Sequence, residues 1–505
     1  VTAIPIDLRQ SDGNRMYRRS LVLLLTTAAN ECFPGVKIAV EHSVPSGGFY
    51  CEPEDRPNFT RAELLQIKRR MEALVAEDVP IERKTIPLTE AIERFKASGD
   101  DDMVRLLEFR NKSYLTVYAL RDSLDYFFGY MVPSTGYLSL FDLQLTSTGF
   151  ILAFPHSQTP NRIQPYKESY KLEAVFRQTD QWLDVMGLED VGRLNQSIEA
   201  GRIREEVLVA EALHLRHLAE TARLIAQQHE QGVRLVLLAG PSSAGKTTTS
   251  KRLAVQLMAY GLQPYALGMD DYFVDRELTP RDDAGEFDFE SLYALNLERF
   301  NKDLLALMQG AEVQLPRFDF KIGKSLDSSA IKLTNDHILI VEGIHGLNPE
   351  LVSKIPPERI FRIYVSALTV LNLNRHNRIP TTDVRLLRRL VRDAAHRGYS
   401  AQDTLNRWSS VRRGEERNIF PYQENADVMF NSSLAYEVAV LRSFAEPLLR
   451  QVEIDSPRYI EARRLLAFLS WVRPASADYV PDDSLLREFI GGSILDTYVA
   501  GSRFL

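Results

Sequence analysis

The chain has 505 residues, a length that accommodates about two to four domains. Its 45% hydrophobic and 26% charged content is that of an ordinary globular protein, and the formal net charge of −7 excludes a surface built as a whole to lie along nucleic acid. Cys32 and Cys51 are the two cysteines, which excludes a disulfide framework or a thiolate metal cluster and fits a reducing compartment such as the cytoplasm.

In chain order, the first apolar run lies at residues 21–29, behind Arg18 and Arg19. It is too short to span a bilayer, and no small-residue cleavage site comes before Phe33-Pro34-Gly35. It therefore reads as part of a buried helix over 17–32 and not as a signal peptide. The first residue is Val, as expected of a chain lacking residues upstream. Residues 36–44 alternate like a strand. Thr60 with Glu63 predicts a capping box, and Leu64, Ile67, Met71 and Leu74 form the apolar stripe of the helix that follows. Residues 89–98 predict a short helix with Glu90 in its first turn, and 114–118 and 136–153 hold short β-rich runs. Together they predict an α+β domain over 1–160.

The order of phrases in this stretch resembles the second N-terminal domain of threonyl-tRNA synthetases. The phrases are Val36-Lys37-Ile38-Ala39, Gly47-Gly48-Phe49-Tyr50, Phe59-Thr60, Pro80-Ile81-Glu82-Arg83, Ala91-Ile92-Glu93-Arg94-Phe95 and Val132-Pro133-Ser134-Thr135-Gly136. In the synthetases that domain edits mischarged tRNA with an HxxxH pair and a CxxxH pair. The matching positions here hold Arg19 and Leu23, then Phe127 and Met131. None of these side chains supplies imidazole or thiolate chemistry. The resemblance therefore implies a degenerate module serving as scaffold, dimerisation or ligand-sensing unit, with no nucleic-acid partner and a homo-oligomer as one arrangement.

Residues 161–232 read as a helical linker: 164–176 is polar and mixed, and 203–228 predicts a long helix. His214 and His217 on that helix lack a third metal ligand nearby, so they read as solvated or interface histidines.

Between 233 and 435 apolar runs at 233–239, 265–269, 337–341, 359–365 and 427–430 alternate with helical stretches, which predicts a parallel sheet with helices on both faces. After the first run comes Gly240-Pro241-Ser242-Ser243-Ala244-Gly245-Lys246-Thr247-Thr248, a GxxxxGK[ST] loop between strand and helix. Its backbone N–H groups cradle phosphate oxygens, Lys246 reaches the β- and γ-phosphates, and the Thr247 hydroxyl ligates Mg²⁺. Asp270-Asp271-Tyr272 follows the second run and Glu342 the third, so carboxylates at two strand ends flank the loop. They are placed to share Mg²⁺ with Thr247 and to accept the proton of an attacking hydroxyl. Arg375, Arg378, Arg385, Arg388, Arg389, Arg392 and Arg397 make the most basic stretch of the chain. Either they are a solvated face, or a helix presents them as a lid whose guanidinium forks grip a triphosphate.

These pieces resemble the uridine kinase and phosphoribulokinase group of P-loop kinases. Besides the loop, the matching phrases are Met269-Asp270-Asp271-Tyr272-Phe273, Glu286-Phe287-Asp288-Phe289-Glu290, Pro316-Arg317-Phe318-Asp319-Phe320, Val341-Glu342-Gly343-Ile344 and Arg388-Arg389-Leu390-Val391-Arg392-Asp393, with Arg397-Gly398 beyond. The resemblance implies that Asp270 activates the acceptor hydroxyl and shares Mg²⁺ with Thr247 and Glu342. It also implies that Asp288 holds sugar hydroxyls, that Tyr272, Phe318 and Phe320 line the acceptor site, and that Arg389, Arg392 and Arg397 form the lid. In nucleoside kinases of the group a histidine beyond the aromatic–Asp–aromatic phrase helps read the pyrimidine; here Lys321-Ile322-Gly323-Lys324 follows, without one.

Residues 436–505 predict two helices and a closing segment, Leu485–Ser493, that resembles the end of a bacterial group in which both modules occur together. The expected function is ATP- and Mg²⁺-dependent transfer of the γ-phosphate to a sugar hydroxyl, foremost the 5′-hydroxyl of a nucleoside. Another hydroxylated acceptor, or an NTP-driven switch sensing tRNA or an amino acid through the first module, is the alternative.

Overall fold

The computed structural model describes residues 6–281, 285, 287–319 and 322–501. Glu286, Phe320 and Lys321, three residues of the quoted phrases, lie outside these.

The N-terminal part opens with α1 (Ser11–Cys32), which begins earlier than the expected residue 17. Leu21–Leu25 are all buried, so the apolar run is a helix covered on every side. Then come β1 (Ile38–Val44), β2 (Gly48–Pro53), α2 (Arg61–Ala76), β3 (Glu82–Pro87), α3 (Leu88–Ser98), α4 (Asp101–Leu107), β4 (Tyr114–Leu120), β5 (Ser123–Asp125), β6 (Asp142–Leu145) and β7 (Phe150–Ala153). Thr60 closes a complete capping box with Glu63, as the sequence predicts. The strands form antiparallel sheets ordered β1-β2-β7-β6 and β3-β4-β5.

Next are α5 (Tyr170–Met186), α6 (Val191–Glu199) and α7 (Ile203–Glu230). The stretch read as polar and mixed contains the first half of α5, which has no side-chain cap at Ser169 to announce it. These helices join the core instead of bridging solvent: Leu172, Val175, Phe176 and Leu183 are buried in the same cluster as the sheet described next. His214 is fully packed, with Nε2 at 3.1 Å from the Ser433 carbonyl, and His217 lies against Trp182 and Phe430. His214 is thus an interface histidine and not a solvated one; burial pushes its pKa down to about 3.

The second half contains β8 (Leu235–Ala239), α8 (Lys246–Ala259), β9 (Gln263–Gly268), α9 (Leu297–Met308), β10 (Glu312–Asp319), β11 (Lys324–Lys332), β12 (His337–Glu342), β13 (Ile360–Ser366), α10 (Thr381–His396), α11 (Ala401–Asn418) and β14 (Val428–Asn431). Five parallel strands run in the order β14-β13-β8-β12-β9, with helices on both faces. Burial on both faces explains why β8 and β12 read as continuous apolar runs and not as alternating ones. The β10–β11 hairpin stands outside that sheet. The chain ends with α12 (Glu437–Arg450), α13 (Tyr459–Leu469) and α14 (Arg487–Ile490), which pack back onto α10.

The loop between β13 and α10 joins the two halves. Arg375 reaches Glu54 at 2.8 Å and Asp100 at 3.0 Å, and its carbonyl accepts from the Val40 N–H. His376 lies between Asp125 (2.6 Å) and the Ile38 carbonyl (3.1 Å). Arg378 donates to the Glu41 carbonyl and to Ser43 Oγ. Arg375 and Arg378 therefore fasten the first half to the second and are not part of a lid, because both guanidinium groups are taken by partners in residues 41–100.

Candidate active site

β8 delivers the loop 240–247 at the carboxyl end of the sheet, between the ends of β13 and β12. Gly240 passes so close to β13 that a Cβ there would lie 1.9 Å from the Val365 carbonyl oxygen. Ser243 (φ 59°) and Gly245 (φ 81°) are both left-handed, which turns successive N–H groups inward ahead of α8. Lys246 Nζ lies 3.3 Å from the Pro241 carbonyl, and Thr247 Oγ1 donates to Glu342 Oε1 at 3.0 Å.

The carboxylates expected at the strand ends converge on this corner. Glu342 ends β12, hydrogen-bonded in register with the end of β9, and Asp270 begins the turn after β9. Burial raises the Glu342 pKa against the pull of Lys246, and Asp270 is raised by the same two opposed causes. Asp271 instead feels the Phe318 N–H and Arg317, on the hairpin side. Glu290, to which the sequence reading gave no role, also feels Lys246 and Arg389.

Of the aromatic residues expected at the acceptor site, Phe320 lies outside the described residues, and Tyr272 and Phe318 are buried. Tyr272 is 1% exposed, stacks edge-on against Phe300 and donates to Asp303 Oδ2 at 3.2 Å, so it belongs to the core. An aromatic residue four positions after a strand end has no signal telling core from cleft. Phe318 is buried beside Phe273 with ring centroids 5.6 Å apart. Asp288 does lie in this region, 3.5 Å from Arg417 and capped against the Glu290 N–H.

The arginines of α10 divide by face. Arg385 and Arg388, expected on an exposed lid, are among the most buried side chains. Arg385 pairs with Glu415 (2.8 Å from Nη2) and donates to the Ser242 carbonyl; Arg388 pairs with Glu437 and donates to the Ser243 carbonyl. The Ser242 N–H in turn donates to Glu415. The pair is thus a clamp that fixes the shape of the phosphate loop. Arg389 donates to Ser242 Oγ at 2.8 Å. Arg389, Arg392 and Arg397 gather around the buried Asp393 at 3.2, 3.8 and 3.4 Å.

The segment from Ser484 to Gly501 lies across the same corner. The Leu485 side chain seats on Gly245, where an added Cβ would meet it at 2.7 Å. Glu488 Oε2 accepts from the Thr248 N–H (3.2 Å) and Thr248 Oγ1 (2.9 Å), and Arg392 stands 3.8 Å from its other oxygen. A carboxylate at a helix N-terminus occupies an anion position of the loop. Lys251 Nζ donates to the Leu495 carbonyl, and Phe489 covers Arg388.

A parallel sheet with a phosphate loop at its carboxyl edge and helices on both faces is the P-loop nucleotide-binding architecture. Residues 235–439 match the model of the Phosphoribulokinase / Uridine kinase family. The N-terminal region matches threonine–tRNA ligases, among them that of Marinobacter nauticus (34% identity over 136 residues, 27% of this chain and 21% of the relative). That of Lawsonia intracellularis is 29% identical over 160 residues, 32% and 25% of the two chains. The chain thus spans about a fifth to a quarter of the length of these curated relatives. Similar solved structures include a possible uridine kinase from Bacillus stearothermophilus (TM-score 0.27, 19% identity, covering 40% of this chain and 89% of that one). Another is D-glycerate 3-kinase from Cryptococcus neoformans var. grubii (TM-score 0.22, 16% identity, 50% and 87% covered).

In the N-terminal part, Arg19 donates to the Tyr130 carbonyl and lies against Gly129, while Leu23, Phe127 and Met131 are buried. No group of three or more His, Cys, Asp or Glu suited to a metal occurs among the described residues. No helix of the described residues is long and apolar enough to cross a membrane.

Proposed function

We propose that this protein transfers the γ-phosphate of ATP to a hydroxyl of a small molecule, with the 5′-hydroxyl of a nucleoside as the first acceptor to test. The observation that carries the reading is the meeting of Lys246, the Thr247–Glu342 pair and Asp270 at adjoining strand ends of one sheet. The loop N–H groups and Lys246 hold the triphosphate, Arg389 and Arg392 face it from α10, and Asp270 sits where an acceptor hydroxyl would approach. The acceptor oxygen forms a bond to the γ-phosphorus while the bond to the β–γ bridging oxygen breaks, and its electron pair leaves with ADP. The hydroxyl proton passes to the Asp270 carboxylate.

The Thr247 hydroxyl and the carboxylates of Glu342 and Asp270 are hard oxygen donors, a set that suits Mg²⁺, which takes one or two carboxylates and completes its shell with phosphates and water. When bound there, Mg²⁺ supplies charge neutralisation to the β- and γ-oxygens. Glu488 must give up the Thr248 N–H when a phosphate takes that place, so the C-terminal segment competes with the nucleotide.

The nucleoside preference draws support from the family resemblance. The burial of Phe318 beside Phe273 favours the alternative of another hydroxylated acceptor. A screen of nucleosides, simple sugars and hydroxy acids for acceptor-dependent ADP release separates the two. Release unaffected by every acceptor would favour an NTP-driven switch.

A further inference from the structure

Between the two halves lies a cavity of about 660 Å³ that borders the phosphate loop at Pro241. One wall is Arg18 of α1 and the β1–β2 turn; the opposite wall is Pro241, Ser366, Pro380 and Arg385. The volume is that of a small-molecule site. The Arg385–Glu415 clamp and Pro241 stand between it and the N–H groups of the phosphate loop.

The charges around it do not balance. Arg18, Lys167, Arg378, Arg385 and Arg412 line the cavity against the carboxylates of Glu416 and Glu424. Arg385 is neutralised by Glu415, and Arg412 by Glu415 and Glu416. Glu424 is engaged by the N–H groups of Lys171 and Leu172. Arg378 donates to a carbonyl and a hydroxyl, with no carboxylate in ion-pair reach among the described residues. Burial and neighbouring carboxylates push the Glu41 carboxyl up to about 8, against the pull of Arg378. Arg18 makes neither a hydrogen bond nor an ion pair among the described residues; its Nε is buried without a partner, and its guanidinium lies over the Phe154 ring at 5.0 Å. Burial and the like charges of Arg378, Arg15 and Arg412 pull its pKa down to about 10. Two guanidinium groups that repel each other across a cavity call for an anion between them. Phe420 and Pro45, both partly accessible, complete the lining with apolar surface, together with the largely buried Phe154, Phe176 and Leu172.

We propose that this cavity binds a small amphipathic anion, with a phosphate or carboxylate held between Arg18 and Arg378 and an apolar body against Phe420 and Pro45. The shared chemistry is a monoanionic or dianionic head on an aromatic or aliphatic group.

The test is a fluorescence titration of the full chain with 8-anilino-1-naphthalenesulfonate, an aromatic anion of this class. One saturable site is expected, weakened by about tenfold or more in Arg18→Gln, which removes a charge-assisted contact. Ser46→Trp fills the cavity from the turn without altering a charge and is expected to abolish binding. Phenyl phosphate or benzoate is expected to displace the dye, and whichever does so more strongly identifies the head group; phenol, their neutral counterpart, is not. ATP is expected to leave the dye bound, since of the loop 240–247 Pro241 alone is in the cavity lining. Dye binding that is unchanged in both variants, that neither anion displaces, or that ATP displaces as phenyl phosphate does would overturn the proposal.

Discussion

At the scale of single residues, the carboxylate of Glu488 is the least expected feature of the site. It takes the Thr248 N–H and hydroxyl, groups that a nucleotide phosphate also needs. Glu488→Gln keeps the shape and lowers the competition, because a neutral amide oxygen accepts less strongly than a carboxylate. ATP is expected to bind about three- to tenfold more tightly to the variant, the scale of one weakened charge-assisted hydrogen bond. Equilibrium titration with a fluorescent ATP analogue measures this, and equal or weaker binding would remove Glu488 from the nucleotide site. The sequence sets this residue in the closing segment Leu485–Ser493 but gives it no role, since it meets Thr248 from 240 positions away and belongs to no phosphate-binding phrase. The loop residues, by contrast, were legible because their function depends on spacing within one short segment.

At the scale of elements, α10 shows what spacing alone can and cannot tell. Arg385, Arg388, Arg389 and Arg392 recur at helical intervals, and the helix is there. Which of its faces is buried depends on Glu415 and Glu437, which arrive from α11 and α12. A guanidinium reads as a surface or ligand group until its buried acid is known. Removing one partner of such a pair is costly: Glu415→Ala is expected to destabilise the fold by about 3–5 kcal/mol, read from urea unfolding. A loss below about 1 kcal/mol would make the clamp a surface pair. Arg392, on the open face beside Glu488, is expected to act in the transition state. Arg392→Ala then lowers kcat more than it raises KM for ATP, and Arg392→Lys restores part of kcat because it keeps the charge but loses the fork. A change confined to KM would assign Arg392 to ground-state binding.

At the scale of the whole molecule, the two halves are held by the loop that carries Arg375 and Arg378, whose charges by spacing alone fit either a solvated face or a lid. His376 is the titratable member. Burial disfavours its charged form, but the Asp125 carboxylate outweighs that, and the folded pKa stands above the ordinary value. A raised folded pKa gives stability that is fully present below the unfolded value of about 6.5 and is lost as pH rises through the folded one. The Tm advantage of the wild type over His376→Gln is thus expected to be largest near about pH 5.5 and to shrink on going to about pH 8.5. An advantage that does not change with pH would mean a neutral histidine. The parallel sheet, its strand ends and the phosphate loop were readable because each is written in contiguous residues; the contacts between halves were not, because each joins residues hundreds of positions apart. Acceptor-dependent ADP release by the wild type, Asp270→Asn and Asp271→Asn measures whether Asp270 serves an acceptor hydroxyl at a P-loop. Release is expected to require an acceptor, kcat to fall by about 10²–10⁴-fold in Asp270→Asn with ATP still bound, and Asp271→Asn to have a mild effect. Near-normal turnover in Asp270→Asn, or release indifferent to every acceptor, would contradict that role.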